Sequence, residues 1–405
     1  MSIFRHVKIS RPEPLPRLRL VFLVLAFISV MAGLNAALVR AGALAPVPHA
    51  DLGNIHGPLM IYGFLGTAIG LERAVSLQAD RRRFWPYAAP LFAGVGGVSA
   101  IVMAVSPEAS SAVKNVGVST RLMPGALWVA SMLILLGIYL YIALRRQPSM
   151  SALIQILSAF VGASGIALWM KGYDVPAIVA WWLMFLVLTI ISERLELARI
   201  TFAGAGVEFR VLLESAALVA TLVCSLIAPS IGMALLGVAL AVLVADVAWH
   251  DVARRMVTST GIPRFAATCM LGAYAWALCA AGMWIFMGAT SGYAYDLAVH
   301  ALTIGFTLSM IVAHAPVIIP AVIRREVPYH RLMWVGWALI QVALLLRLTG
   351  GGRDVEALWR FGVALGVVAF LVFVMVTATL TIRQARRRQR QWRHSQADAR
   401  TEASQ

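Results

Sequence analysis

Apolar runs of about 20 residues recur along this chain from end to end, and a run of that length is what an α-helix needs to cross about 30 Å of hydrocarbon at about 1.5 Å per residue. They are too many to share one water-soluble core. Of the 405 residues, 60% are hydrophobic and 13% charged, and the mean hydropathy of +0.82 is far above that of a soluble domain. The pattern predicts an all-α fold, a polytopic membrane bundle of about 12 transmembrane helices. Spans are expected near 18–40, 55–75, 86–105, 122–143, 151–171, 175–195, 211–228, 231–250, 265–288, 295–322, 332–349 and 357–382. The loops between them are short, so residues 1–390 read as a single transmembrane domain and 391–405 as a basic, disordered tail. Arg11, Arg17 and Arg19 precede the first run as they would in a secretory signal. Its length and the lack of a small-residue cleavage site predict a retained anchor instead.

A net charge of +16 invites a nucleic-acid reading, but the distribution of the charge argues for topology. Under the twelve-span arrangement, seven of the 34 Lys and Arg residues (Arg40, Lys114, Arg121, Lys171, Arg347, Arg353 and Arg360) fall on one side and the remaining 27 on the other. The richer side holds both termini, Arg81-Arg82-Arg83, Arg145-Arg146, Arg254-Arg255, Arg324-Arg325 and the tail from Arg383 to Arg400. By the positive-inside rule both termini are expected in the cytoplasm. The partner implied is the lipid bilayer, with no nucleic acid; the cluster Arg386 to Arg393, with Trp392 in it, is expected against anionic lipid.

Cys224, Cys269 and Cys279 all fall inside predicted spans, and no CxxC or Cys/His spacing points to zinc or to covalent haem attachment. Buried, inert thiols are expected. A weak echo recurs every four spans: Leu71-Glu72-Arg73, Ser192-Glu193-Arg194 and Arg324-Arg325-Glu326 end the second, sixth and tenth. Three pseudo-repeated arcs of four helices would produce it, and so would the gathering of Glu and Arg at any helix end on the basic side.

The histidines carry the sharpest signal. His56 opens the second span, with Met60 one turn below on the same face, and His300 lies just inside the tenth, which runs in the same direction. The two imidazoles are therefore expected at similar depth, at the end opposite the basic loops. Intramembrane ionisable residues face a bundle interior rather than lipid. Two neutral imidazoles from facing helices could hold a haem iron from both sides, or each could be a hydrogen-bonded structural residue. Gly57, Gly63 and Gly66 after His56, and Ala301, Thr303 and Gly305 after His300, leave space either for a porphyrin or for a close helix contact. His314 is fourteen residues beyond His300, about 21 Å along the axis, too far to join the same centre. With Pro316 it marks a kink or a second polar site. His49, beside Asp51 and Asn54, is a candidate copper ligand or a contact to a haem carboxylate, or a plain loop histidine. His250 is expected in an interfacial pair beside Asp251, and His6, His330 and His394 in solvated segments. Glu72, Glu193, Glu196, Glu214 and Asp246, near Arg73, Arg194 and Arg199, form either interfacial ion pairs or an ion or proton path.

Taken together, His56-Gly57-x-x-Met60 opening a second span, a histidine in the tenth, twelve spans and a four-helix echo resemble the catalytic subunit of the haem-copper oxidase and nitric oxide reductase superfamily. The segment His300-Ala301-Leu302-Thr303-Ile304-Gly305 is closer still to the NnrS family, twelve-span haem- and copper-containing bacterial proteins associated with nitric oxide stress. The resemblance implies a b-type haem between His56 and His300 with Met60 in its pocket, copper as a second metal with His49 and His314 as candidate ligands, a bacterial inner-membrane location and nitric oxide as a small-gas partner. It also has departures: no histidine occurs from Gly172 through Ser230, where oxidases carry copper ligands, and Ala298 and Leu302 stand where a paired His-x-His would be. An oxidase-type copper centre is therefore not expected. Two other classes fit the same spans: a cofactor-free secondary transporter using Glu72, Glu214 and Asp246, and an accessory factor binding a respiratory complex.

Overall fold

The computed structural model describes residues 15–78, 83–145, 149–197, 206–288 and 291–403. His6, Arg11, Arg81, Arg82, Arg146 and Arg199 lie outside them. All regular structure among the described residues is helical. Eleven of these helices are long and apolar enough to cross a membrane, beginning with Arg17–Arg40. The remaining expected span is the helical run His56–Pro58, Leu59–Gly66 and Thr67–Gln78, which has Glu72 and Arg73 inside it. The chain is thus an all-α, multi-pass membrane bundle.

Short connections make consecutive spans neighbours, and the third packs on the fourth, the fourth on the fifth, the fifth on the sixth, the eighth on the seventh and ninth, and the eleventh on the twelfth. The first helix lies against the second and third spans. Its Arg19 is buried and donates to the carbonyls of Ala321 and Val322 at 3.0 Å, tying the start of the chain to the end of the tenth span.

The sixth span, Val175–Leu197, is the axis of the bundle: 78% of its apolar window is buried, against at most 56% in any other of the eleven. Trp181, Trp182, Leu183, Met184, Phe185 and Leu186 are all buried, so the helix is apolar all round and has no face left for lipid. Tyr62 of the second span stacks on Phe185 with centroids 6.1 Å apart and donates its hydroxyl to Gly162 O at 2.8 Å. Elsewhere small residues let backbones meet. A Cβ on Gly237 of the eighth span would fall 2.7 Å from Ala281 O and 2.9 Å from Ile285 N of the ninth. Gly237→Val is therefore expected to cost about 1–3 kcal/mol by overpacking, seen as a lower midpoint in detergent unfolding.

The last helix, Glu356–Ala403, runs far past any bilayer thickness. Residues 391–403, which composition reads as disordered, are its final turns. Ala, Gln and Arg are good helix formers, and extending an existing helix needs no new nucleus. Arg388 is held to Glu326 at 2.5 Å.

Candidate functional site

Between the second, tenth, eleventh and twelfth spans lies a cavity of about 440 Å³ lined by both His56 and His300. Each imidazole is fixed through one nitrogen. His56 Nδ1 lies 2.8 Å from Gly33 O of the first helix. His300 Nδ1 lies 2.8 Å from Asp296 O and 3.3 Å from an Asp296 carboxylate oxygen. A carbonyl can only accept, so each Nδ1 carries a proton, and in the neutral ring Nε2 then keeps its lone pair. Among the described residues neither Nε2 has a hydrogen-bond partner.

Both histidines stand at the start of a wide-turn segment. The helix is a π-helix over Leu59–Gly66 in the second span and over Ala301–Leu308 in the tenth. Thr307 Oγ1 reaches Leu302 O, five residues back, at 2.8 Å. Such interruptions concentrate at functional sites, because one extra residue per turn re-aims the side chains that follow.

Aliphatic and aromatic side chains form most of the walls, with Phe64, Val363 and Phe370 among them. Met60 lines the cavity too, and it can lie flat against the first helix because residue 33 is glycine: a Cβ there would sit 2.4 Å from its sulfur. The glycines divide between two uses. Gly57, Gly362 and Gly366 face the cavity. Gly63, Gly66, Ala301 and Gly305 do not; a Cβ on Gly63 would meet Ser29 at 2.9 Å and one on Gly305 would meet Trp276 at 2.4 Å. Helix contact, rather than room for a flat ligand, accounts for those positions.

Several cavity residues escaped the sequence reading. Arg347 grips the Asp296 carboxylate through two nitrogens, at 2.8 and 2.6 Å, and Trp359 Nε1 donates to the same carboxylate at 3.1 Å. Asp296 in turn faces the His300 ring. A carboxylate behind an imidazole fixes its tautomer and raises its basicity as a ligand. The available signal was the four-residue spacing from Asp296 to His300, which puts both on one helix face. Arg40 and Asn54 also line the cavity. The Arg40 guanidinium bonds Gly53 O at 3.3 Å and makes no ion pair among the described residues. The cavity thus combines two unsatisfied imidazole nitrogens, apolar walls and a cation without a counter-charge.

The other candidates are elsewhere. His314 sits in a buried polar network: its Nδ1 is 2.7 Å from Met310 O and its Nε2 3.1 Å from Arg194. Arg194 binds Asp251 at 2.9 and 2.7 Å, and Tyr274 donates to Asp251 at 2.6 Å. With both ring nitrogens engaged, His314 offers no lone pair to a metal; its surroundings are the second polar site that the Pro-flanked histidine suggests. His49 precedes the short helix Ala50–Asn54, outside the cavity lining, and its Nδ1 is buried without a partner. His250 pairs with Asp246, at 2.9 Å to the carbonyl and 3.2 Å to the carboxylate, rather than with Asp251. The three cysteines are free, and only Cys269 is fully buried.

These features define a multi-pass helical membrane protein with a two-histidine cavity between its second and tenth spans. The chain belongs to the family described as a domain of unknown function, DUF8744, whose model matches residues 19–382. None of the curated proteins matches it.

Proposed function

We propose that this is an NnrS-like haem protein of the bacterial inner membrane, with both termini cytoplasmic, holding one b-type haem between His56 and His300 and serving nitric oxide or nitrosative-stress metabolism. The observation that carries the haem reading is that His56 and His300 line one cavity, each with Nδ1 spent on a carbonyl and Nε2 free. The rest of the lining suits an amphipathic, flat, anionic group: apolar walls for a macrocycle, and Arg40 with Asn54 for its carboxylates. With two imidazole ligands such a haem supplies one-electron chemistry. The role in nitric oxide metabolism rests on the resemblance to NnrS. Of the two copper candidates, His49 alone has a ring nitrogen without a partner.

The reading is tested by an optical spectrum of the protein purified after haem-supplemented expression, oxidised and then reduced, with metal analysis. Sharp reduced bands and about one iron per chain are expected. A colourless protein sinks the proposal and favours the cofactor-free transporter.

Asp296→Asn gives a finer test. It removes the carboxylate facing His300 and leaves Arg347 without its counter-ion. Haem retention during dilution is expected to fall by about 10–100-fold, the usual effect of losing such a supporting group. Retention equal to wild type would mean that Asp296 serves Arg347 alone.

A further inference from the structure

A second polar centre lies at the opposite ends of the same spans. Arg73 of the second span is buried and pairs with Glu193 at 2.6 Å and Glu196 at 3.0 Å, both from the sixth. Gln155 of the fifth span donates to the same Glu196 oxygen at 3.0 Å. Glu72 is adjacent, and among the described residues it makes no hydrogen bond and no ion pair. The next cation along the sixth span, Arg194, is committed to Asp251 and His314 on the other side of the helix. Two carboxylates therefore share one guanidinium in a site walled by helices, and a third, Glu72, stands next to it in sequence unpaired.

An independent observation points to something held there. Tyr139 of the fourth span is completely buried, its hydroxyl has no partner, and Arg73 lies 6.0 Å from its ring centroid. A buried hydroxyl is rarely left unpaired. Here it sits within the field of Glu72, Glu193 and Glu196. Exposure is graded across the cluster: the Glu196 side chain is 48% exposed, Glu193 18% and Arg73 7%. Glu196 thus connects the buried groups to water at the end of the bundle where the Arg-rich segments lie.

We propose that this cluster is a proton-binding site inside the membrane, with Glu72 carrying the proton and Glu196 as the side chain through which it exchanges with water. With Glu196 half-exposed at the edge of the site, ionising Glu72 and Glu193 as well would leave two negative charges unbalanced beside a single buried guanidinium. One proton transferred from water to a Glu72 carboxylate oxygen removes one of them. It also turns an acceptor-only carboxylate into a group with an O–H donor. Among the described residues, the first, third and tenth spans packed on this part of the second add no counter-charge. Arg19 of the first helix is spent on carbonyls and Gln78, the third span contributes no titratable side chain between Ala88 and Val105, and His314 of the tenth faces Arg194. The site is independent of any haem.

Infrared difference spectroscopy on the full-length protein in lipid, stepped between acid and alkaline buffer, tests it. The wild type is expected to show the C=O stretch of a protonated carboxyl that shifts in D2O; Glu72→Gln should abolish it, and Glu72→Asp should move it. Glu196→Gln should keep the band and slow its shift after transfer to D2O. The proposal is overturned if the wild type lacks such a band, or if the band persists unchanged in Glu72→Gln and vanishes in Glu193→Gln. Where Glu72→Gln fails to fold, Glu72→Asp supplies the assignment, and a band that it leaves unmoved overturns the proposal.

Discussion

Replacing either His56 or His300 by alanine is expected to remove the sharp reduced haem bands from the purified protein, while an exposed-loop control, His330→Ala, keeps them. Each substitution takes away one of two nitrogens that line the same cavity without a hydrogen-bond partner. The structural cost should be small: His56 loses one bond, to Gly33 O, and His300 loses one to Asp296 O together with its contact to the Asp296 carboxylate, each bond worth about 1 kcal/mol. The effect on the iron is much larger, since losing an axial imidazole changes its coordination number. Size-exclusion profiles should match wild type. Bands that survive unchanged in both variants would place any haem elsewhere.

The largest effect on stability is expected at Asp251. Its carboxylate accepts from Arg194 twice, from the Tyr274 hydroxyl and from Ala253 N–H, and its side chain is entirely buried. Asp251→Ala leaves the Arg194 guanidinium buried without its counter-charge, which should cost about 3–5 kcal/mol. The double variant Asp251→Leu with Arg194→Met should recover part of that loss, because removing both charges leaves no uncompensated ion. Unfolding midpoints in detergent measure both. A loss below about 1 kcal/mol in the single variant would match a water-exposed pair instead.

The second polar site illustrates how far sequence reading reached. His314, with Pro316 two residues on, signals a polar interruption in the tenth span, and one is there. Its partners, Arg194 and Asp251, come from 120 and 63 positions away in sequence, and nothing local connects them to it. The cavity is similar. His56 and His300 are legible because an imidazole at the end of an apolar run is costly wherever lipid surrounds it. Arg347, by contrast, reads as one more charge near a span end, whereas in the fold it clasps Asp296 behind His300. Gly63 and Gly305 show the opposite error: small residues beside a candidate ligand suggest space, yet Ser29 and Trp276 occupy it.

Composition and spacing by themselves determined that this chain is an all-helical membrane bundle, where its spans begin and end to within a few residues except for the twelfth, whose helix runs on to Ala403, and that His56 and His300 open spans running in the same direction. Those properties add up locally, residue by residue, because the cost of placing a side chain in hydrocarbon depends on that side chain and its depth. Tertiary structure alone decided which faces meet. The rotation of a helix about its axis is set by packing against neighbours, and a π-turn adds a residue that turns every later side chain by about 100°. One π segment begins three residues after His56 and the other immediately after His300, so the faces that build the cavity could not be projected from an ideal helix. The two-histidine signal has thereby become a cavity with an acid, an arginine and a tryptophan behind one of its imidazoles.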